Sequence, residues 1–156
     1  MTISWRAETP SDEAFVHQLI VTTVAGELRA TGWPPTVRGP LLEMQYQARR
    51  QGVRSNFPYA ESRIVLVDGQ PAGWLVISDA PGEIRLVDIA MLPEQRNRGI
   101  GSAVIRELLA ASDRTGKPVR LTVKANSPAV RLYEKLGFRR SGGDELQHFM
   151  EHSAGR

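Results

Sequence analysis

One stretch constrains the fold more than any other. Leu92-Pro-Glu-Gln-Arg-Asn-Arg-Gly-Ile-Gly-Ser102 stands between an apolar, strand-like run at 84–91 and a helical run that begins at Gly99. In the helical run Ile100, Val104, Leu108 and Ala111 fall on one face with Ile105 and Leu109 beside it, and the pattern continues to Arg114. Val119–Val123 then reads as another strand. Strand, helix and strand over residues 84–124 make a β-α-β unit, whose outer strands should be parallel. The turn that starts the helix carries chemistry as well as topology. Gly99 and Gly101 leave successive N–H groups unshielded at a helix N-terminus, and Arg96 and Arg98 add two full positive charges. This is the makeup of a pyrophosphate cradle. It lacks the Lys-Ser/Thr of a P-loop and the three-glycine spacing of a dinucleotide fingerprint, which argues against a nucleoside triphosphate or NAD.

The flanking sequence predicts the remaining elements. Ile3–Arg6 is a short strand ended by Thr9-Pro10-Ser11. Ser11 or Asp12 caps a helix that buries Phe15, Val16, Leu19, Ile20 and Val24. Three glycines and three prolines between Gly26 and Pro40 predict a loop, followed by a short helix from Leu41 to Arg50. Ile64–Val67, the turn Asp68-Gly69 and Ala72–Ile77 form a hairpin. A second turn, Ala80-Pro-Gly82, leads into Ile84–Met91 and completes an antiparallel meander. Pro128–Leu136 is a helix, and Phe138 begins a last pair of strands ending at Gln147–Met150. The expected fold class is α/β, an α+β mixture around one mixed sheet, in a single domain over residues 1–156.

Composition removes several function classes. Without cysteine there is no disulfide framework, no thiolate metal site and no Cys nucleophile. His17, His148 and His152 have no metal-ligand spacing, so no metal is expected. The net charge of +3 comes from seventeen arginines and three lysines against seventeen acidic residues. These arginines are spread along the chain, which fits a polyanionic ligand but not a contiguous nucleic-acid face. Polar residues interrupt every apolar run before the ~20 needed for a membrane helix. The opening residues have neither a basic n-region nor an apolar h-region, so the expected location is cytoplasmic.

Two segments resemble a known family. Arg96-Asn-Arg-Gly99-Ile-Gly101 is similar to the R/Q-x-x-G-x-G/A signature of the GCN5-related N-acetyltransferases (GNAT). Asn126-Ser-Pro-Ala-Val-Arg-Leu-Tyr133-Glu-Lys-Leu-Gly137-Phe138 resembles that family's N-x-x-A-x-x-L-Y-E-K-x-G-F segment, in the same order along the chain. Asn97 is a departure, since many members carry Gly there.

The resemblance implies a meander followed by a β-α-β unit with splayed parallel strands, and acetyl-CoA lying in the splay. It implies that Ile89, Ala90 and Met91 offer strand backbone to the pantetheine arm. The amides of Asn97, Arg98, Gly99, Ile100, Gly101 and Ser102, with Arg96, would then hold the pyrophosphate. Asn126 either reaches the pantetheine arm or the amine, or caps the following helix. Tyr133 either protonates the departing thiolate or simply packs on the sheet. Asp88, in an otherwise apolar strand, is the first choice for the base, against a plain ion pair with Arg85 or Arg120; Glu83 precedes it. Trp33, Tyr46 and Tyr59 either wall an acceptor pocket, with Glu43 and Glu61 drawing a cation, or close the core. The implied activity is acetyl transfer from acetyl-CoA to a small-molecule or peptide amine, without a covalent acyl-enzyme. The alternative is a non-catalytic acyl-CoA-binding regulatory module. A homodimer through the C-terminal strands is compatible with either.

Overall fold

The computed structural model describes residues 1–29 and 32–154. Seven strands hydrogen-bond in the order β1-β2-β3-β4-β5-β7-β6: Ile3–Ala7, Ala60–Val67, Gln70–Ala80, Glu83–Met91, Val119–Lys124, Arg139–Gly143 and Gln147–His152 are β1 to β7 in chain order. Four helices accompany them, α1 Glu13–Arg29, α2 Pro35–Asn56, α3 Ile100–Thr115 and α4 Ala129–Lys135. The chain divides into two compact units, Met1–Val76 with Asp88–Gln95, and Ile77–Val87 with Arg96–Arg156.

In the first unit β1 pairs antiparallel with β2, from Ile3↔Val67 to Ala7↔Arg63. Asp68 and Gly69 both take positive φ, +50° and +82°, the pair of left-handed residues that a two-residue hairpin turn requires. Val16, Leu19, Ile20 and Val24 of α1 are buried at the spacing read from the sequence, together with Ile64, Val65, Trp74, Leu75 and Val76. Asp12 serves the turn ahead of α1 as part of a capping box. A 3₁₀ turn, Pro10–Asp12, precedes α1 with Thr9 at its cap, and the Thr9 N–H donates to Asp12 Oδ2 at 2.8 Å. Arg6 grips the same carboxylate with Nη1 and Nη2 at 2.8 and 2.9 Å.

The predicted loop from Gly26 to Pro40 is mostly helix. Gly26 lies inside α1, and α2 starts at Pro35, so only a short connection separates them; residues 30 and 31 lie outside the described residues. Pro35 begins the helix where a missing N–H costs nothing, and its fixed φ suits that position. Pro40 sits inside α2, so the helix tolerates one lost hydrogen bond there. Residues far away in sequence anchor the helix. Arg50 donates to Glu8 through Nη1 at 3.0 Å and Nη2 at 2.6 Å, and Glu8 Oε1 also accepts from Trp74 Nε1 at 2.9 Å.

In the second unit β5 pairs antiparallel with β7 along its whole length, from Val119↔His152 to Lys124↔Gln147. β4 and β5 are parallel, as the crossover predicts. Ile100, Val104, Ile105 and Leu108 of α3 are buried. Ser112 is buried as well, its hydroxyl donating to the Lys117 carbonyl at 2.5 Å. Gly116 ends the helix at φ +77°, its N–H returning to the Ser112 carbonyl at 2.8 Å. The Lys117 ammonium donates to Asp79 and, at 3.0 Å, to the Ala80 carbonyl.

Candidate active site

The turn before α3 is built by two left-handed residues. Asn97 has φ +60° and Gly99 has φ +81°, so the chain reverses sharply after the 3₁₀ turn Pro93–Gln95 and enters the helix at Ile100. Asn is the side chain that best tolerates this region after Gly, which explains how position 97 accepts a residue other than glycine. The Gly99 carbonyl accepts the first helical bond, from Ala103 N–H at 3.1 Å, and no side chain caps the helix. The amides of the first turn therefore have no partner inside the helix.

Glycine keeps the approach to these amides clear. A Cβ added at Gly99 would meet no atom within 4 Å, and one at Gly101 would meet only Leu132 Cδ2, at 4.0 Å. The helix N-terminus is thus open to a ligand's negative charge, with a partial positive charge of its own. Arg96, Asn97 and Arg98 are exposed along the turn, Ile100 is buried, and Gly101 and Ser102 are half-buried.

Tyr133 of α4 is 8% exposed, and its ring packs tilted on Phe138 with centroids 5.8 Å apart. Its hydroxyl has no hydrogen-bond partner among the described residues. Burial pushes its pKa up, so the phenol keeps its proton at neutral pH. Phe138 in turn meets His152 edge-on at 5.5 Å. Asn126 is exposed. It is Ser127 that serves the start of α4, its hydroxyl accepting from the Ala129 N–H at 3.1 Å.

The β4–β5 ladder consists of Ile84↔Val119, Arg85↔Arg120 and Leu86↔Leu121. Beyond Leu86, β4 runs on to Met91, and beyond Leu121, β5 runs on to Lys124. Ile89 and Met91 are half-buried and Ala90 is buried. Gly73 of β3 lies against this segment so closely that a Cβ would strike the Met91 thioether and come within 2.8 Å of the Ala90 carbonyl oxygen.

Asp88 has a partner other than those expected. Arg49 of α2 donates Nε to Oδ2 and Nη2 to Oδ1, both at 2.5 Å, so both carboxylate oxygens are engaged. Arg85 and Arg120 bind Glu83 instead, Arg85 Nε at 2.6 Å and Arg120 Nη1 at 3.1 Å. Nothing in the sequence marks Arg49 as the partner, because it lies 39 residues from Asp88 on another element.

The aromatic residues separate. Trp33 and Tyr59 are exposed, whereas Tyr46 is only 3% exposed, its ring between His17 at 4.5 Å and the Arg50 guanidinium at 5.9 Å. Tyr46 belongs to the core of its unit. Glu43 Oε2 accepts from His17 Nε2 at 2.7 Å, and Glu61 pairs with Arg63 at 3.3 Å. Among the described residues no group of three His, Asp or Glu side chains could hold a metal ion, and no helix is long and apolar enough to cross a membrane.

Comparison with known proteins places these elements in a recognised setting. A model described as the acetyltransferase (GNAT) family matches residues 27–138. A Bacillus subtilis (strain 168) protein whose assigned activity is [ribosomal protein bS18]-alanine N-acetyltransferase is 31% identical over 91 residues, 54% of this chain and 58% of that protein. The L-amino acid N-acetyltransferase AaaT of Escherichia coli (strain K12) is 28% identical over 92 residues, 54% of this chain and 57% of its own length. The chain thus spans less than three fifths of the length of these two relatives. In fold it is similar to the PaiA N-acetyltransferase of Thermoplasma acidophilum, solved in complex with coenzyme A. That likeness has a TM-score of 0.73 over 98% of this chain and 99% of that one, at 18% identity.

Proposed function

Because the chain belongs to the acetyltransferase (GNAT) family, we propose that it is an N-acetyltransferase moving an acetyl group from acetyl-CoA to a primary amine, with both substrates bound together. The observation that carries this reading is the turn at residues 96–102, where left-handed Asn97 and Gly99 present an uncapped helix start and two glycines leave it uncovered. The pyrophosphate would take the amides of residues 97–102 with Arg96 and Arg98 alongside, and the backbone of Ile89, Ala90 and Met91 would meet the pantetheine arm. Asn126, whose side chain leaves the capping of α4 to Ser127, is free in this reading to reach the arm or the amine.

Acetyl-CoA supplies the activated acetyl group. As the amine nitrogen bonds to the acetyl carbon and the carbon–sulfur bond breaks, the Tyr133 phenol donates its proton to the sulfur. Burial keeps that proton on the phenol at neutral pH, and the phenolate left by the transfer is reprotonated from water. Asp88 enters as an anchor: with both oxygens engaged by Arg49 it fixes β4, and the proton lost by the amine leaves through water. One relative above is named for an alanine of a ribosomal protein and the other for L-amino acids, which supports a small-molecule or peptide amine as acceptor.

Gly101→Ala tests the reading. The new methyl meets Leu132 at an ordinary distance, and alanine favours a helix over glycine by up to about 1 kcal/mol, so the fold should hold or gain. Wild-type protein at ~100 times the dissociation constant of acetyl-CoA should gain about 2.7 kcal/mol in a thermal-shift titration. The variant should bind at least tenfold more weakly with an apo melting point no lower than that of the wild type. Equal affinity in the two proteins would overturn the cradle, and tight binding without turnover on any amine would leave a binding module.

A further inference from the structure

A pocket of about 290 Å³ lies between the end of α1 and the start of α2, and its lining includes none of the residues given a role in the proposed function. Ala25 and Leu28, one turn apart on α1, face Pro35, Arg38, Gly39 and Leu42, which hold the i, i+3, i+4, i+7 positions of one face of α2. Its walls are hydrocarbon except for one cation. The Arg38 Nε is buried and has no hydrogen-bond partner among the described residues. A guanidinium cannot shed its charge to escape such a place. Buried donors are almost always satisfied, and no described residue satisfies this one, which leaves it open to an acceptor lying in the pocket.

Gly39 points the same way. Glycine weakens a helix interior, and here no crowding requires it, since an added Cβ would meet no atom within 4 Å. What its absence of a side chain does is leave room beside Arg38. Exposed Trp33 and Val37 extend the apolar surface at this end of α2.

We propose that this pocket binds an apolar molecule ending in a carboxylate. The carboxylate accepts from the Arg38 fork, a planar donor set that matches its two oxygens, and the hydrocarbon lies on Leu28 and Leu42. Two sources share this chemistry, an acceptor amino acid with an apolar side chain and a carboxylate that is never acetylated.

Isothermal titration with three probes of one shape tests it: leucine, 4-methylpentanoate, which lacks the amine, and leucinamide, which lacks the carboxylate. At least one of the two acids should bind, with leucinamide at least tenfold weaker. Arg38→Gln and Gly39→Leu should each weaken the acid at least tenfold with a melting point no lower than that of the wild type and an unchanged coenzyme A affinity. The Gly39 variant acts by filling the space rather than removing the charge. Absence of binding by both acids up to about 10 mM, leucinamide binding as well as leucine, or Arg38→Gln binding like wild type would each overturn the proposal. Turnover then separates the sources. Leucine acetylation with a KM raised in Arg38→Gln makes the pocket an acceptor subsite, and acid binding without leucine turnover makes it the site of a non-reacting carboxylate. Coenzyme A affinity is read independently, so failure here and failure of the acetyltransferase reading are distinguishable.

Discussion

At the level of single residues, Tyr133 carries the most specific expectation. Tyr133→Phe keeps the ring and its contact with Phe138 and deletes only the proton donor. With the acceptor saturating, kcat measured by release of free thiol should fall about 100-fold, while the KM for acetyl-CoA changes little. Unchanged turnover would remove the tyrosine from the chemistry. The turn carrying Gly99 and Gly101 was legible beforehand because it lies within one short segment, and Tyr133 stood out through the resemblance of its Leu-Tyr-Glu-Lys context to the family's. Asp88 was legible only as an oddity, a charge in an apolar strand. Its bond to Arg49 joins residues 39 apart, and no local pattern encodes a pair that only tertiary packing creates. For Asn126 the capping alternative falls away, since it is the Ser127 hydroxyl that accepts from the first N–H of α4.

Among the elements, α2 is the one the sequence showed only in part, as a short helix at Leu41–Arg50 inside Pro35–Asn56. Gly39, Pro40 and Gly52 weaken it as an isolated helix, and the cluster of breakers around residues 26–40 reads locally as a loop. Strands and α3 were readable because their apolar positions repeat at the period of the element itself and turn residues bound them. Tertiary contacts override propensity in α2, and the Glu8–Arg50–Trp74 cluster is the chief of them. Glu8→Ala would strand a largely buried guanidinium and leave the Trp74 indole N–H without its acceptor. A loss of about 3 kcal/mol is expected from breaking such a pair, measured by urea unfolding followed through tryptophan fluorescence. A loss below ~0.5 kcal/mol, the usual size of an exposed pair, would show that α2 is held by its apolar contacts alone.

For the molecule as a whole, acid is the condition to which the fold should be most sensitive. The Arg6 guanidinium and the Thr9 N–H hold the Asp12 carboxyl well below the usual range. His17 lowers Glu43, and the backbone N–H groups of Leu146 and Gln147 lower Asp144. Burial pushes Glu83 up, but Arg85 and Arg120 more than pull it back. Each of these groups is harder to protonate folded than unfolded. Their contribution is therefore present above the ordinary carboxylate range near pH 4 and disappears as pH falls through the lower folded values. The melting temperature should be nearly flat from pH 7 to about 5 and drop steeply below about 4. Asp12→Asn should start lower and fall less over the same range, and parallel curves for the two proteins would exclude Asp12 as a contributor.

The tether on Lys117 has a consequence for chemical wear. A protein proposed to work beside an acetyl thioester is exposed to that reagent continuously, and stray acylation falls on unprotonated, accessible lysine amines. This chain offers three lysines among its twenty basic side chains. The ammonium of Lys117 is committed to Asp79 and a carbonyl oxygen at the end of β3, contacts that hold its nitrogen against the protein. Guanidinium groups, which supply the other seventeen positive charges, stay protonated and do not compete for acetyl groups. Long residence in a pool of its own donor should therefore leave the surface charge of this protein nearly as it was made.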